Sequence, residues 1–184
     1  MGDTYVPSTH QPGKHGFLRE EVPLVDPGKF ASLLSSLKGK GIELGIATGR
    51  PKTETHVPLE HLGWLEYFPL YRISTASDVL EAERKHPDSR PLAKPNPFSY
   101  LRSYLGVADA AQVLGHPLPI ATPSGEQTLI VGDSVADLLA AKTMGCRFAA
   151  VLTGLEGEKA RSQFEAMGSD YILDDALLVD ELVR

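Results

Sequence analysis

Short apolar runs alternate with amphipathic segments along most of the chain, and this pattern is typical of strands that alternate with helices. The clearest run, residues 129–131, is apolar and partly β-branched, which predicts a parallel strand covered on both faces. Beyond it, Ser134 is placed to cap a helix and Gly145 to end that helix in a left-handed conformation. Asp133 and Asp137 are therefore expected above the carboxyl end of the strand, where open α/β sheets bind ligands.

The same two patterns predict further elements on both sides of this unit. Asp26 as N-cap and Pro27 as the first helical residue begin a helix that Gly39 and Gly41 end. Further strands are predicted at residues 42–47, 72–75, 148–152 and 171–173, and further helices at residues 52–62, 78–85 and 158–167, from Phe98 onward, and at the C terminus. Residues 107–127 are rich in proline and are expected to form a surface excursion.

This alternation predicts an α/β fold, namely a three-layer, Rossmann-like and mostly parallel sheet. Residues 1–21 are interpreted as an irregular lead-in or linker, and residues 22–184 as the α/β core. Strand ends and a neighbouring loop of that core carry the polar residues Thr48, Lys94, Asp133 and Asp137.

Composition and charge narrow the possible functions. The 184 residues are 42% hydrophobic and 23% charged, which is the size and balance of one globular domain. A net charge of -6 disfavours nucleic acid as a partner, because phosphate backbones attract proteins with a surplus of lysine and arginine. The single cysteine, Cys146, cannot form an internal disulfide, and no apolar run is long enough to span a bilayer. The chain is therefore expected to be cytoplasmic, with no membrane partner.

The two aspartates that follow the clearest strand have two explanations. Close carboxylates repel each other unless a cation or a shared proton lies between them, and hard oxygen ligands favour Mg²⁺. Alternatively, Asp133 is a turn residue and Asp137 is a first-turn acid favoured by the helix dipole. Thr48 and Lys94 likewise have ordinary explanations, as a helix cap and as a solvated cation. Together, however, a hydroxyl, an ammonium and paired carboxylates match what a transferring phosphoryl group requires.

Three stretches of the chain resemble motifs of one known family. Residues 46–51 (IATGRP), 92–95 (LAKP) and 130–137 (IVGDSVAD) resemble motifs II, III and IV of the haloacid dehalogenase (HAD) superfamily, in that order. Residues 22–28 (VPLVDPG) also look like the segment that leaves the cap of that family and enters its core. The resemblance covers roughly residues 22–173, and motif IV is its most specific part.

The resemblance implies a Mg²⁺-dependent phosphatase that acts through an aspartyl-phosphate. Thr48 and Lys94 would be catalytic, with Thr48, Gly49 and Lys94 binding the phosphoryl group. Asp133 and Asp137 would hold Mg²⁺. The substrate would be a small phosphorylated metabolite, and the sequence leaves its identity, the type of cap and the oligomeric state open.

Motif I of the family has no counterpart in the chain. That motif is a strand ending in Asp-x-Asp-x-Thr or Val, and it supplies the nucleophile and the general acid or base; no such string occurs here. We therefore interpret the chain as the carboxyl-terminal part of a longer protein, whose upstream segment would carry motif I and a cap. The chain alone is expected to be inactive. The alternative is a non-catalytic domain that binds phosphate or metal, or that has only a structural role.

The missing motif also predicts an unusual sheet. In the family, the motif I strand lies between the strands that carry motifs II and IV. Residues 42–47 and 129–131 are therefore expected to face each other across a gap filled by an upstream piece, or else to pair directly, because unpaired buried backbone is costly.

Overall fold

The computed structural model describes residues 17–183 of the chain. Its α-helices are α1 (Pro27–Gly39), α2 (Lys52–His61), α3 (Ala76–Lys85), α4 (Phe98–Leu105), α5 (Ala110–Leu114), α6 (Val135–Met144), α7 (Arg161–Ala166) and α8 (Val179–Leu182). Its strands are β1 (Ile46–Ala47), β2 (Ile73–Ser74), β3 (Leu129–Gly132), β4 (Arg147–Val151) and β5 (Tyr171–Leu173). Every strand pair is parallel, so the α/β, Rossmann-like class predicted from the sequence is confirmed.

Helix α1 begins and ends where its sequence predicts. Asp26 caps it by accepting a hydrogen bond from the backbone amide of Lys29 at 2.8 Å, and Pro27 is its first residue. Its apolar face buries Leu33 and Leu37 against Val179 of α8, which forms a small core separate from the main one. Helix α1 therefore packs the N-terminal part of the described chain against its C-terminal helix, α8.

The unit formed by β3, α6 and β4 is the centre of the main core. Ser134 and Asp137 form a capping box at the start of α6, and Gly145 ends the helix at a φ of 70°. Leu138 on α6 is fully buried, and Phe148 on β4 is 1% exposed. The strand, caps and helix predicted for this stretch are confirmed.

Strand β1 is shorter than predicted. The sequence pattern predicts a strand over residues 42–47, but only Ile46 and Ala47 form a ladder, with Ile73 and Ser74 of β2. A strand extends only as far as a partner pairs with it, and β2 is two residues long. Helix α4 packs against both short strands and supports them from one side.

The two ladders do not join within residues 17–183. Strand β1 pairs with β2, and β3 pairs with β4, so of the two expected arrangements the direct pairing of β1 with β3 is not the one that forms. No strand of residues 17–183 lies between β1 and β3, and residues 22–25 do not form a strand. Val131 of β3 is 38% exposed, which is unusual for a strand that the sequence predicts to be covered on both faces. The proposed lead-in lies mostly outside the described residues.

Two other stretches differ from their predictions. The expected surface excursion at residues 107–127 contains α5, and it buries Val113 and Ile120 in the main core. The predicted helix at residues 158–167 is instead a 3₁₀ turn, Gly157–Ala160, followed by α7.

Within the described part of the chain, no helix is both long and apolar enough to cross a membrane.

Candidate functional site

Thr48 and Gly49 form the turn that follows β1. The backbone amide of Thr48 donates to the carbonyl of Ser74 at 2.9 Å, and its hydroxyl accepts from the amide of Arg50 at 3.1 Å. Gly49 is exposed, and a β-carbon at that position would contact nothing within 4 Å. The turn therefore presents a hydroxyl oxygen and an accessible stretch of backbone at the carboxyl end of a parallel strand.

Lys94 reaches this turn from the loop that precedes α4. Leu92, which is 1% exposed, anchors the loop, and the Asn96 side chain donates to the carbonyl of Pro91 at 2.9 Å. The Lys94 ammonium donates to the carbonyl of Ala47 at 3.1 Å. Lys94 thus lies beside the end of the strand that leads to Thr48.

Asp137 lies on the other side of Lys94. Its Oδ1 is 3.0 Å from the Lys94 ammonium, its Oδ2 accepts from the Ser134 amide at 3.3 Å, and the residue is 4% exposed. Burial raises the pKa of this carboxyl, but the charge of Lys94 and hydrogen bonds from Tyr100, Lys94 and Ser134 outweigh burial and lower the pKa overall. Asp137 is therefore a carboxylate held by protein groups on both of its oxygens.

Tyr100, which no sequence motif predicts as a site residue, contacts both Lys94 and Asp137. Its hydroxyl donates to Asp137 Oδ1 at 2.8 Å and accepts from the Lys94 ammonium at 2.9 Å. Burial, followed by the negative charge of Asp137, raises the pKa of the phenol, so it remains a hydrogen-bond donor. Its position on the first turn of α4, shortly after the Lys94 loop, is the signal in the sequence that could have drawn attention to it.

Asp133 has different surroundings from Asp137. It is exposed at the end of β3, where it lies against Gly154: a β-carbon on that glycine would be 2.6 Å from Asp133 Oδ2. The described residues contain no group of three or more histidines, cysteines or acids that could hold a metal ion. Asp133 is a suitable ligand for a hard cation such as Mg²⁺, but residues 17–183 offer only part of the usual oxygen set.

A cavity of about 220 Å³ opens beside Thr48. Ile46, Thr48, Pro58 and Trp64 line it, and Arg50 and Glu21 form an ion pair at the same place. A larger cavity of about 540 Å³ lies next to Leu65 and Leu70, but none of the candidate site residues line it. Of Thr48, Lys94, Asp133 and Asp137, only Thr48 lines the smaller cavity.

Comparison with known proteins identifies the family. Residues 91–178 match the model of the HAD-hydrolase-like family. Curated phosphoglycolate phosphatases from Escherichia coli (strain K12), Neisseria meningitidis and Rhodospirillum rubrum are 28%, 31% and 31% identical over 72%, 76% and 82% of the chain. The aligned regions cover 41%, 48% and 49% of those relatives. The chain thus spans about half the length of the curated relatives that it matches.

Two solved structures have the same fold. An X-ray structure from the Northeast Structural Genomics Consortium is 44% identical, with a TM-score of 0.86 over 92% of this chain and 46% of that one. A hydrolase from Pseudomonas syringae has a TM-score of 0.55 at 23% identity, over 83% of this chain and 59% of that one, and supports the fold alone. The order of the motifs, the family match and these relatives agree, and the chain belongs to the haloacid dehalogenase superfamily of hydrolases.

Proposed function

We propose that the protein carrying this chain is a Mg²⁺-dependent phosphohydrolase that acts on a small phosphorylated metabolite through an aspartyl-phosphate. The observation that carries the proposal is the position of Lys94. Its ammonium contacts the Ala47 carbonyl, one residue before Thr48, and the Asp137 carboxylate. One cation thus connects the ends of two parallel strands that do not pair with each other within residues 17–183.

Each side chain at these strand ends has a role in the proposed reaction. The Thr48 hydroxyl and the backbone at Gly49 bind the phosphoryl oxygens, since both are at the accessible turn after β1. Lys94 neutralises negative charge on the phosphoryl group and on the attacking carboxylate. Its charge acts through the electrostatic field of a partly dehydrated site, so it can keep its contact with Asp137 while it does so.

The two aspartates of motif IV, Asp133 and Asp137, have different roles in this proposal. Asp133 is exposed and is the direct ligand for Mg²⁺, which would supply positive charge to the transferring phosphoryl group. Asp137 is buried, and its oxygens are engaged by Lys94, Tyr100 and Ser134, which suits a carboxylate that orients Lys94. The sequence predicts that both aspartates hold Mg²⁺, and we propose that only Asp133 binds the ion directly.

The nucleophile is assigned to a segment outside the described residues. An upstream strand carrying the Asp-x-Asp motif would enter between β1 and β3 and pair with the edges that no segment of residues 17–183 occupies. This assignment is supported by the open ladder edges and by the relatives, which are about twice as long as the region they share with this chain. The 184-residue chain by itself is then expected to bind metal weakly and to hydrolyse no phosphate ester.

A second candidate function is a domain that binds phosphate or metal without catalysis. It is favoured by the commitment of the Lys94 ammonium to three protein acceptors: Ala47, Tyr100 and Asp137. An assay of turnover distinguishes the two candidates, because only the phosphohydrolase releases inorganic phosphate.

The decisive experiment uses the protein as its gene encodes it. Phosphate release from p-nitrophenyl phosphate and from phosphoglycolate, the substrate named for the relatives, would be measured with Mg²⁺ and with a chelator. We expect Asp133→Ala to lose most of the Mg²⁺-dependent turnover, a loss of several kcal/mol of transition-state stabilisation. Asp88→Ala, which changes an exposed aspartate in the 3₁₀ turn Pro87–Ser89, is the matched control. Equal turnover in the Asp133 variant and the unchanged protein would exclude the proposed function.

A further inference from the structure

The hydroxyl of Tyr100 closes a triangle of hydrogen bonds with Lys94 and Asp137. The Tyr100 oxygen is 2.8 Å from Asp137 Oδ1 and 2.9 Å from the Lys94 ammonium, and those two atoms are 3.0 Å apart. Each of the three groups therefore contacts both of the others. An ion pair that is largely out of water is stable only when its remaining hydrogen-bonding capacity is satisfied, and the phenol satisfies part of it for both ions.

The Tyr100 ring itself is held in place by its surroundings. It packs against the main core from α4, a helix that begins at the buried Phe98 and lies on β1 and β2. The Lys94 ammonium also lies over the ring, 4.6 Å from its centroid. The hydroxyl is therefore fixed relative to the strands, whereas a lysine side chain has four rotatable bonds and is mobile by itself.

We propose that Tyr100 is a positioning residue, whose hydroxyl holds the Lys94 ammonium and the Asp137 carboxylate in one arrangement at the carboxyl ends of β1 and β3. This inference rests on the proposed phosphohydrolase function, in which Lys94 neutralises charge that develops during phosphoryl transfer. Without the hydroxyl, Asp137 loses a donor and Lys94 loses an acceptor, so the ammonium samples orientations that point away from the transferring group.

The test compares two tyrosine-to-phenylalanine variants of the protein as its gene encodes it. Tyr100→Phe keeps the ring and removes the hydroxyl, and we expect its kcat to fall by roughly tenfold with a smaller change in KM, because the group that Tyr100 positions acts on the transition state. Tyr104→Phe removes a hydroxyl four residues further along α4 and is expected to leave both constants unchanged. Equal kcat values in Tyr100→Phe and the unchanged protein would overturn the inference.

A second readout does not depend on activity. The rate at which the Lys94 amine reacts with acetic anhydride, followed by mass spectrometry, reports how firmly the ammonium is held. We expect Tyr100→Phe to raise that rate several-fold and Tyr104→Phe to leave it unchanged, with melting temperatures recorded for both. Unchanged reactivity in Tyr100→Phe would refute the positioning role, even in an active enzyme.

Together, the two readouts separate this inference from the proposed function. Raised Lys94 reactivity in a protein that hydrolyses no phosphate ester would support the positioning of Lys94 and reject the phosphohydrolase. If Tyr100→Phe does not fold, Tyr100→Leu replaces it, because it also removes the hydroxyl and keeps an apolar side chain against the main core. Raised Lys94 reactivity in that variant supports the positioning role of the hydroxyl, and unchanged reactivity overturns it.

Discussion

A β-carbon on Gly154 would lie 2.6 Å from Asp133 Oδ2 and 2.8 Å from Asp133 Cβ, so glycine is the residue that lets this carboxylate occupy its position. Gly154 follows β4, and Asp133 follows the neighbouring strand β3. Rotation of the carboxylate alone does not relieve the contact with Cβ. The space that Asp133 occupies is therefore set by a residue 21 positions further along the chain.

We expect Gly154→Ala to displace Asp133 and to lower Mg²⁺-dependent turnover by roughly tenfold. The Mg²⁺ concentration that gives half-maximal rate should rise as well, because Asp133 is the proposed direct ligand. Titration of the rate with Mg²⁺ measures both effects. Gly39→Ala is the control, since a β-carbon there meets nothing within 4 Å. Identical Mg²⁺ titrations for the two variants would count against a metal role for Asp133.

Two substitutions at Thr48 test its proposed contact with the phosphoryl group. Thr48→Val keeps the shape of the side chain and removes the hydroxyl, and we expect kcat/KM to fall by roughly a hundredfold. Thr48→Ser keeps the hydroxyl and should retain most of the activity. Steady-state kinetics on both variants gives the comparison, and a Val variant as active as the Ser variant would exclude a hydroxyl contact.

Packing of α6 in the main core predicts that a substitution there lowers the free energy of unfolding, whatever its effect on activity. Leu138 is fully buried, so Leu138→Ala should lower the free energy of unfolding by about 3 kcal/mol through lost burial and the cavity left behind. Leu155→Ala removes a fully exposed leucine and is expected to change it little. Urea denaturation of both variants measures the difference, and similar midpoints would contradict the position assigned to Leu138.

The lowered pKa of Asp137 predicts that the free energy of unfolding depends on pH in the acidic range. Because the pKa of this carboxyl lies below its ordinary value of 3.8 in the folded protein, the charged form stabilises the fold above that pH. As the pH falls below 3.8, the unfolded chain takes up the proton first, and this stabilisation is lost. The advantage of the unchanged protein over Asp137→Asn in unfolding free energy should therefore shrink between neutral pH and about pH 3. A constant difference across that range would show that Asp137 carries no such stabilisation.

Local features of this fold could be predicted from the sequence, and features that depend on distant partners could not. The caps Asp26, Ser134 and Gly145 act on amides or turns within a few residues of themselves, so their positions follow from the local pattern. The length of β1 depends instead on β2, which is separated from it by α2 and two 3₁₀ turns. Apolar periodicity carries no information about how far a partner strand extends.

The candidate site shows the same division. Thr48, Lys94 and Asp137 are recognisable because each lies in a short motif with a known chemical purpose. The proposed role of Tyr100 depends on its contact with Asp137, 37 residues further along the chain. From the sequence alone, a tyrosine at that position is equally well explained as an aromatic residue of the core. The burial of Asp137 depends in the same way on Lys94 and Tyr100, which contact it from distant segments, whereas Asp133 is exposed.

The separate ladders of the described chain have a consequence for its solubility. Strands β1 and β3 each have an edge that is unpaired within residues 17–183, and Val131 adds an exposed apolar side chain beside one of them. Such edges are templates for strands of other molecules and promote aggregation. Expressed by itself at high concentration, the 184-residue chain is therefore expected to aggregate through intermolecular β-pairing. A soluble peptide that supplies the missing strand would then act as a solubilising partner.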